Sequence, residues 1–319
     1  METDKALSDN ASSSDTRAEH PLLWGVIGFA VIGLFHWWGN TADVGVASTS
    51  IFAWMQSRWA DYGGTYSHCY LLPFVSAYVV WDRRDLIRYA SRSVSLFGLT
   101  CVVLGLCLHV AGARCHLPRL SLVSFIFLLW SIPYFLCGWQ VARQLIFPCA
   151  YLLLMVPLTF LDVITVPMQL LMTSLSTGVL QGLGVGVAAN GVEIFLADVS
   201  DFRLEVAVGC SGLRSFLALT SLTTAYAFLS RMSLPKKLIL CVSAAPIAII
   251  GNMVRIVTVA LVAVIGGADA AYWVHEFSGY LVFVVAVLCL VGLSRAMSVN
   301  WVERGKGWIS SVSHQKSAS

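Results

Sequence analysis

The sequence predicts an all-α polytopic membrane protein with about eight transmembrane helices, both termini in the cytoplasm, and one outer loop holding a β-hairpin. Three observations predict it. Hydrophobic residues make up 58% of the 319 and charged residues only 12%, against roughly 45–50% and 25% in soluble domains, and the mean hydropathy is +0.78. Eight apolar runs reach or approach the ~20 residues that cross a bilayer as helix. Lys and Arg also sort to one side of those runs.

Residues 1–20 are polar, Ser-rich and without apolar periodicity, so they read as a disordered cytoplasmic tail. An integral membrane domain is expected over 21–295, and a second cytoplasmic tail over 296–319. The first apolar run, 22–38, follows a long acidic leader and ends in His36-Trp37-Trp38, which suits a retained span better than a cleaved signal. Further spans are expected at 66–81, 94–110, 120–138, 142–160, 209–230, 238–265 and 278–294. With the N-terminus inside, fourteen Lys and Arg fall on the cytoplasmic side, including Arg83, Arg84, Arg88, Arg92, Arg231, Lys236 and Lys237. Four fall outside: Arg58, Arg114, Arg119 and Arg203. The positive-inside rule supports that orientation.

The segment 163–185 is apolar enough to cross, but crossing would carry Arg231, Lys236 and Lys237 to the outside. It is therefore expected to be re-entrant or surface-lying, with Pro157 and Pro167 breaking the chain on either side of its start. The outer loop 161–209 alternates in polarity over Gly191-Val-Glu-Ile-Phe-Leu196 and again over Phe202-Arg-Leu-Glu-Val-Ala-Val208, on either side of Asp198-Val-Ser-Asp201. Period two around an Asp/Ser turn predicts a hairpin.

Several function classes are excluded. A net charge of +3 with no basic run interleaved with aromatics gives nucleic acid no footprint. None of the nine cysteines stands in a Cys-x-x-Cys, so neither a zinc site nor a dithiol centre is indicated, and no metal or other cofactor is expected. His275-Glu276 lacks the second His of a zinc-protease helix, and the glycines at 182, 184 and 186 lack the Lys-Ser/Thr of a phosphate loop.

Three side chains remain that could carry chemistry. Ionisable groups within a bilayer are costly and call for a role. Arg255, in Pro246-Ile-Ala-Ile-Ile-Gly-Asn-Met-Val-Arg255, lies ten residues inside its span, with Asn252 one turn earlier on the same face. Cys210 opens the sixth span in Gly209-Cys210-Ser211-Gly-Leu-Arg214. A helix starting at Gly209 would set Cys210 on its first turn, where exposed N–H groups, the macrodipole and Arg214 favour a thiolate. His275 precedes the last span. The topology brings all three to the outer membrane face, and a thiol, an imidazole and a guanidinium are what acyl transfer requires: nucleophile, proton carrier and oxyanion partner. His68, at the outer end of the second span, is a further supporting candidate.

Gly209-Cys210-Ser-Gly-Leu-Arg214, Asn252-Met-Val-Arg255 and His275 followed by Gly279 resemble the three signature blocks of the exosortase/archaeosortase family. Ser67-His68 with Leu-Leu-Pro73 and Trp81-Asp-Arg-Arg84 is similar to the family's second-span segment. Phe147-Pro148, Leu-Leu-Met155-Val-Pro157 and Gly191-Val-Glu-Ile194 are similar to its central segment. The likeness runs from about residue 60 to 285, with one departure at Cys69, where the family usually has Gly. It implies a membrane cysteine protease and transpeptidase of the exosortase branch, since the archaeal branch tends to have Arg at the position of His275. The implied substrates are membrane-anchored proteins with a C-terminal tripartite signal: a motif such as Pro-Glu-Pro, a hydrophobic helix and a basic cluster. By resemblance Cys210 is the nucleophile, His275 the acid/base and Arg255 the stabiliser. Ser211, Arg214, Asn252 and His68 are expected to support them.

The resemblance further implies a multi-pass protein of the cell inner membrane, linked to surface sorting and exopolysaccharide production. Phe202, Leu204 and Val206 of the hairpin are expected to contact substrate, since a strand edge can take an extended peptide past Cys210. The competing reading is a non-enzymatic transporter or scaffold in polysaccharide export. It is weakened because no acidic residue inside an expected span stands ready to pair with Arg255.

Overall fold

The computed structural model describes residues 21–40, 49–60, 65–157, 160–197, 203–206 and 212–298. The expected N-terminal tail lies outside these residues, as do residues 299–319, Phe202, Cys210 and Ser211. In chain order the elements are α1 (Pro21–Trp38), α2 (Ile51–Trp59), a 3-10 turn (Ser67–Leu71) running into α3 (Leu72–Asp82), and α4 (Arg84–Arg88). Next come α5 (Leu96–Arg114), α6 (Pro118–Cys137), α7 (Trp139–Leu152) with a 3-10 end (Leu153–Met155), and α8 (Phe160–Gly182). Strands β1 (Val187–Asn190), β2 (Glu193–Leu196) and β3 (Arg203–Glu205) precede α9 (Leu213–Leu229) and α10 (Leu234–Ser298). The chain divides into two compact units, residues 1–57 with 92–142 and residues 58–91 with 143–319.

By length and composition, four helical stretches can cross a membrane: Leu96–Arg114, Pro118–Cys137, Val163–Gly182 and Leu234–Met297. Leu22–Trp38 and Leu213–Leu229 are shorter apolar helices. The runs expected at 66–81 and 142–160 give helices of only 11 and 14 residues. Pro157 accounts for the second: it pushes Val156 to an extended ψ of 119° and ends the helical path at Met155. Pro167, by contrast, does not interrupt α8. The segment read as re-entrant or surface-lying is one 23-residue helix, ~35 Å long at 1.5 Å per residue.

In the first unit, α5 and α6 are packed on a glycine seam. Gly98, Gly105 and Gly112 recur every seven residues and are buried together with Cys101 and His109. A methyl at Gly98 would come 2.5 Å from the Phe135 backbone nitrogen, and one at Gly112 would come 2.8 Å from that of Ser121. Lipid tails are as apolar as Leu, so such close backbone approach, rather than hydrophobic burial, holds membrane helices together. His109 is buried in the same seam, with Nδ1 3.0 Å from Ser121 Oγ and the Phe35 ring centroid 4.3 Å from its own.

In the second unit, β1, β2 and β3 form one antiparallel sheet in that order. Ile194 stands opposite Leu204, and Asn190 opposite Glu193 across the turn at Gly191. Strand β1 was not foreseen, because Val187-Ala-Ala-Asn190 shows no polar alternation. The sheet lies on α8, which buries Gln169, Met172, Thr173, Ser176, Thr177 and Leu180 along one stripe at helical spacing. Met172 and Leu180 join Ile194, Leu196, Leu204 and Val206 of the sheet and Ile256, Val259 and Ala263 of α10 in one core. α10 is two helices, 234–266 and 268–298, joined at Gly267, whose φ of 79° is left-handed and suits glycine.

Candidate active site

The hairpin of α10 sets the distances. Gly267 lies midway between Arg255 and Gly279, twelve residues from each, so an antiparallel return brings position 279 opposite 255. The structure has that register: a methyl on Gly279 would meet the Arg255 guanidinium, 3.5 Å from Cζ and 3.6 Å from Nη2. His275, expected just before the last span, sits within the second helix, about two turns past the bend, because the chain resumes helical geometry directly after Gly267.

Arg255 is half-buried and held by two acceptors. Its Nη2 donates to the His275 carbonyl at 2.9 Å and its Nε to Ser278 Oγ at 3.1 Å. Ser278 is buried and its hydroxyl also donates to the His275 carbonyl, at 3.2 Å. Three groups thus close on one turn of helix, which fixes the plane of the guanidinium. The His275 imidazole is half-buried, and the Arg255 and Glu276 charges reach it with opposite sign. Ser278 was missed in the sequence. The available signal was its position, three residues after His275 on the same face of a helix.

Asn252 is buried one turn before Arg255 and faces the start of α9. Gly212 lies against it: a methyl there would be 3.5 Å from Asn252 Cβ and 3.7 Å from Nδ2. Gly212 has φ 83° and caps α9, which begins at Leu213 and not at Gly209. Cys210 itself lies outside the described residues, so the correction is to the start of the helix, from Gly209 to Leu213. The physical reason is the left-handed glycine, which ends one chain direction and starts another. Arg214 is exposed on the first turn of α9, and its charge acts on the half-buried His68, whose Nε2 is 3.7 Å from Cys69 Sγ.

Leu204 and Val206 are 8% and 1% exposed and lie in the core with Ile194 and Ile256. Their side chains are therefore unavailable for the substrate contact expected of them, because the alternation that reads as a strand turns these positions inward. The exposed side chains of β3 are Arg203 and Glu205. The eight described cysteines are free thiols, with Cys69, Cys101 and Cys137 buried. Among the described residues no three His, Cys, Asp or Glu stand close enough to hold a metal ion.

Described residues from four sequence blocks thus converge in two pairings, Gly212 on Asn252 and Arg255 on the turn of His275, with Arg214 linking His68 to the first. No curated protein and no solved structure matches this chain. The family model described as transmembrane exosortase matches residues 54–292, which takes in all four blocks and well over half of the 319 residues. The chain belongs to the transmembrane exosortase family, and its general role is that of a multi-pass membrane enzyme of the protease and transpeptidase kind.

Proposed function

We propose that the protein is a cysteine protease and transpeptidase that removes C-terminal tripartite sorting signals at the outer face of the inner membrane. The Cys210 thiolate attacks the scissile carbonyl, and the C–N bond breaks as His275 hands the leaving amine a proton taken from the thiol. This leaves a thioester, which water or an acceptor amine resolves, with the proton returning through His275. Arg255 stabilises the oxyanion in both steps, since a guanidinium presents fixed donors to a developing charge. Ser211, Arg214, Asn252 and His68 support the nucleophile and its surroundings.

The observation that carries this reading is the bond from Arg255 to the His275 carbonyl, which ties two of the three reactive groups into one rigid turn. Gly212, two residues after Cys210, packs against the helix that bears Arg255. The paired intramembrane charges that a transporter predicts are not what holds Arg255 among the described residues: a carbonyl and a hydroxyl do.

Substrates whose signal has a hydrophobic helix and a cytoplasmic basic cluster would present the cleavage motif at the outer face. The exposed side chains of β3 suit reading an extended peptide there, consistent with a role in surface sorting and exopolysaccharide production. The test is co-expression with a reporter carrying Pro-Glu-Pro, an apolar helix and a basic tail. A processed reporter, and a thioester on Cys210 that hydroxylamine releases, are expected. Processing that persists in Cys210→Ala refutes the reading.

A further inference from the structure

In the second unit, α3, α7, α9 and α10 meet around one guanidinium. Arg83 stands half-buried at the junction of α3 and α4. Its Nη1 donates to Gln144 Oε1 of α7 at 3.0 Å, and its Cζ lies 4.4 Å from the centroid of the Phe228 ring of α9. That ring is stacked on Phe147 of α7, with centroids 3.5 Å and planes 1° apart. The Phe228 carbonyl accepts from Lys237 Nζ, on the first turn of α10, at 3.4 Å. Eighteen helical residues separate Lys237 from Arg255, ~27 Å at 1.5 Å per residue, so this end and the candidate active site stand about one hydrocarbon thickness apart.

Charge sorting alone would scatter cations at this end without building anything. Arg83 differs: stacked on a ring and hydrogen-bonded at one corner, it has a fixed plane, and a guanidinium carries five donors of which Gln144 takes one. Arg84 is exposed, donates to the Trp81 carbonyl at 3.1 Å and lies 4.4 Å from the Trp81 ring centroid. Among the described residues neither guanidinium is bonded to a carboxylate. The surface beside them is apolar: Trp81 and Tyr78, with ring centroids 6.0 Å apart, are 58% and 50% exposed. Fixed guanidinium donors suit phosphate oxygens, and exposed aromatics at a membrane interface suit lipid. A free phosphate would use only the first of these, and a zwitterionic headgroup would bring its own ammonium against the same cations. We propose that Arg83 and Arg84 bind the phosphate of an anionic phospholipid, with its chains along Trp81 and Tyr78.

The test purifies the full chain in a neutral detergent and titrates it with tail-labelled phosphatidylglycerol at physiological salt. Saturable binding is expected, displaced by unlabelled phosphatidylglycerol but not by the same concentration of phosphatidylcholine or inorganic phosphate. Arg83→Gln should weaken binding at least about tenfold, since hydrogen bonds between charged groups are the strong ones. Arg83→Lys keeps the charge but gives up the fixed plane, and should also weaken binding. Arg231→Gln removes one exposed charge three residues past Phe228. Because a screened surface charge is worth little, that change should weaken binding less than about twofold.

Equal losses in Arg83→Gln and Arg231→Gln overturn the proposal, because diffuse charge would then be all that attracts the lipid. Equal displacement by phosphatidylcholine overturns it too, since the chains alone would be recognised. Displacement by inorganic phosphate also overturns it, in favour of a site for soluble anions. If Arg83→Gln fails to accumulate, Arg84→Gln at the exposed position decides: a comparable loss supports the site and wild-type binding refutes it.

Discussion

The guanidinium of Arg255 donates to the backbone carbonyl of His275, not to a carboxylate, at 2.9 Å. A charge inside a membrane protein is matched by an opposite charge or by backbone carbonyls. Here the His275 carbonyl and the Ser278 hydroxyl hold it, so among the described residues its positive field is not cancelled by a direct ion pair and can act on an oxyanion. The arrangement makes the geometry of Arg255, and not its charge alone, the property to test.

Arg255→Lys is expected to lower reporter processing at least about a hundredfold while protein abundance is unchanged. An ammonium keeps the charge but cannot donate along the Nε and Nη2 directions at once. Quantified cleavage in membranes checks this, and near-normal turnover by the Lys variant would reduce Arg255 to a charge anchor.

Ser278→Ala removes the partner of Arg255 Nε. A hydrogen bond to a charged group is worth about 1.5–3 kcal/mol, so the rate of the chemical step should fall roughly ten- to hundredfold with little change in substrate affinity. Single-turnover kinetics at saturating substrate would show whether the loss lies there or in binding.

Gly279 makes an ordinary contact with Arg255 Cζ at 3.5 Å once a methyl is added. Gly279→Ala should therefore stay active, and Gly279→Leu, whose branches must occupy the guanidinium's place, should not. Equal activity in the two would mean that the guanidinium has room to move aside.

Alanine in place of each cysteine in turn should leave eight variants active and one, Cys210→Ala, inactive. Cys69, Cys101 and Cys137 are buried, and a buried thiol in apolar surroundings is inert. A second essential cysteine would point to a role that the nucleophile reading does not supply.

The glycine seam of the first unit gives a stability test. A methyl on Gly98 meets backbone at 2.5 Å, whereas one on Gly105 meets the end of the Leu128 side chain at 2.8 Å. Backbone cannot step aside and a leucine can. Gly98→Ala should thus lower the unfolding temperature in detergent more than Gly105→Ala, by an amount corresponding to about 1–3 kcal/mol of overpacking.

The sequence made Arg255 legible because a lone guanidinium deep in an apolar run has few explanations, and its partner His275 stood out as one of few imidazoles. Ser278 was hidden because a serine on a membrane helix commonly bonds its own backbone, and nothing in the composition says when it also serves a neighbour. The start of α9 was placed at Gly209 because a glycine's letter does not say which φ it adopts, and Gly212, whose φ is left-handed, is the cap. Charge sorting argued against a crossing at 163–185, but it carries no information on whether a segment is continuous helix. Strand β1 escaped because four small residues have no alternation to read.

The bend at Gly267 works like the rivet of a pair of callipers. Because both arms are helices, each residue added to one arm slides its tip by 1.5 Å and turns it by ~100°, so a single insertion would swing His275 away from Arg255 altogether. The count of twenty residues from Arg255 to His275 should then be invariant among chains that share this chemistry. The count from Cys210 to Arg255, which passes through the non-helical link at 230–233, is free to drift. Chains that differ in length should therefore differ outside 255–275, and the jaws stay as they are.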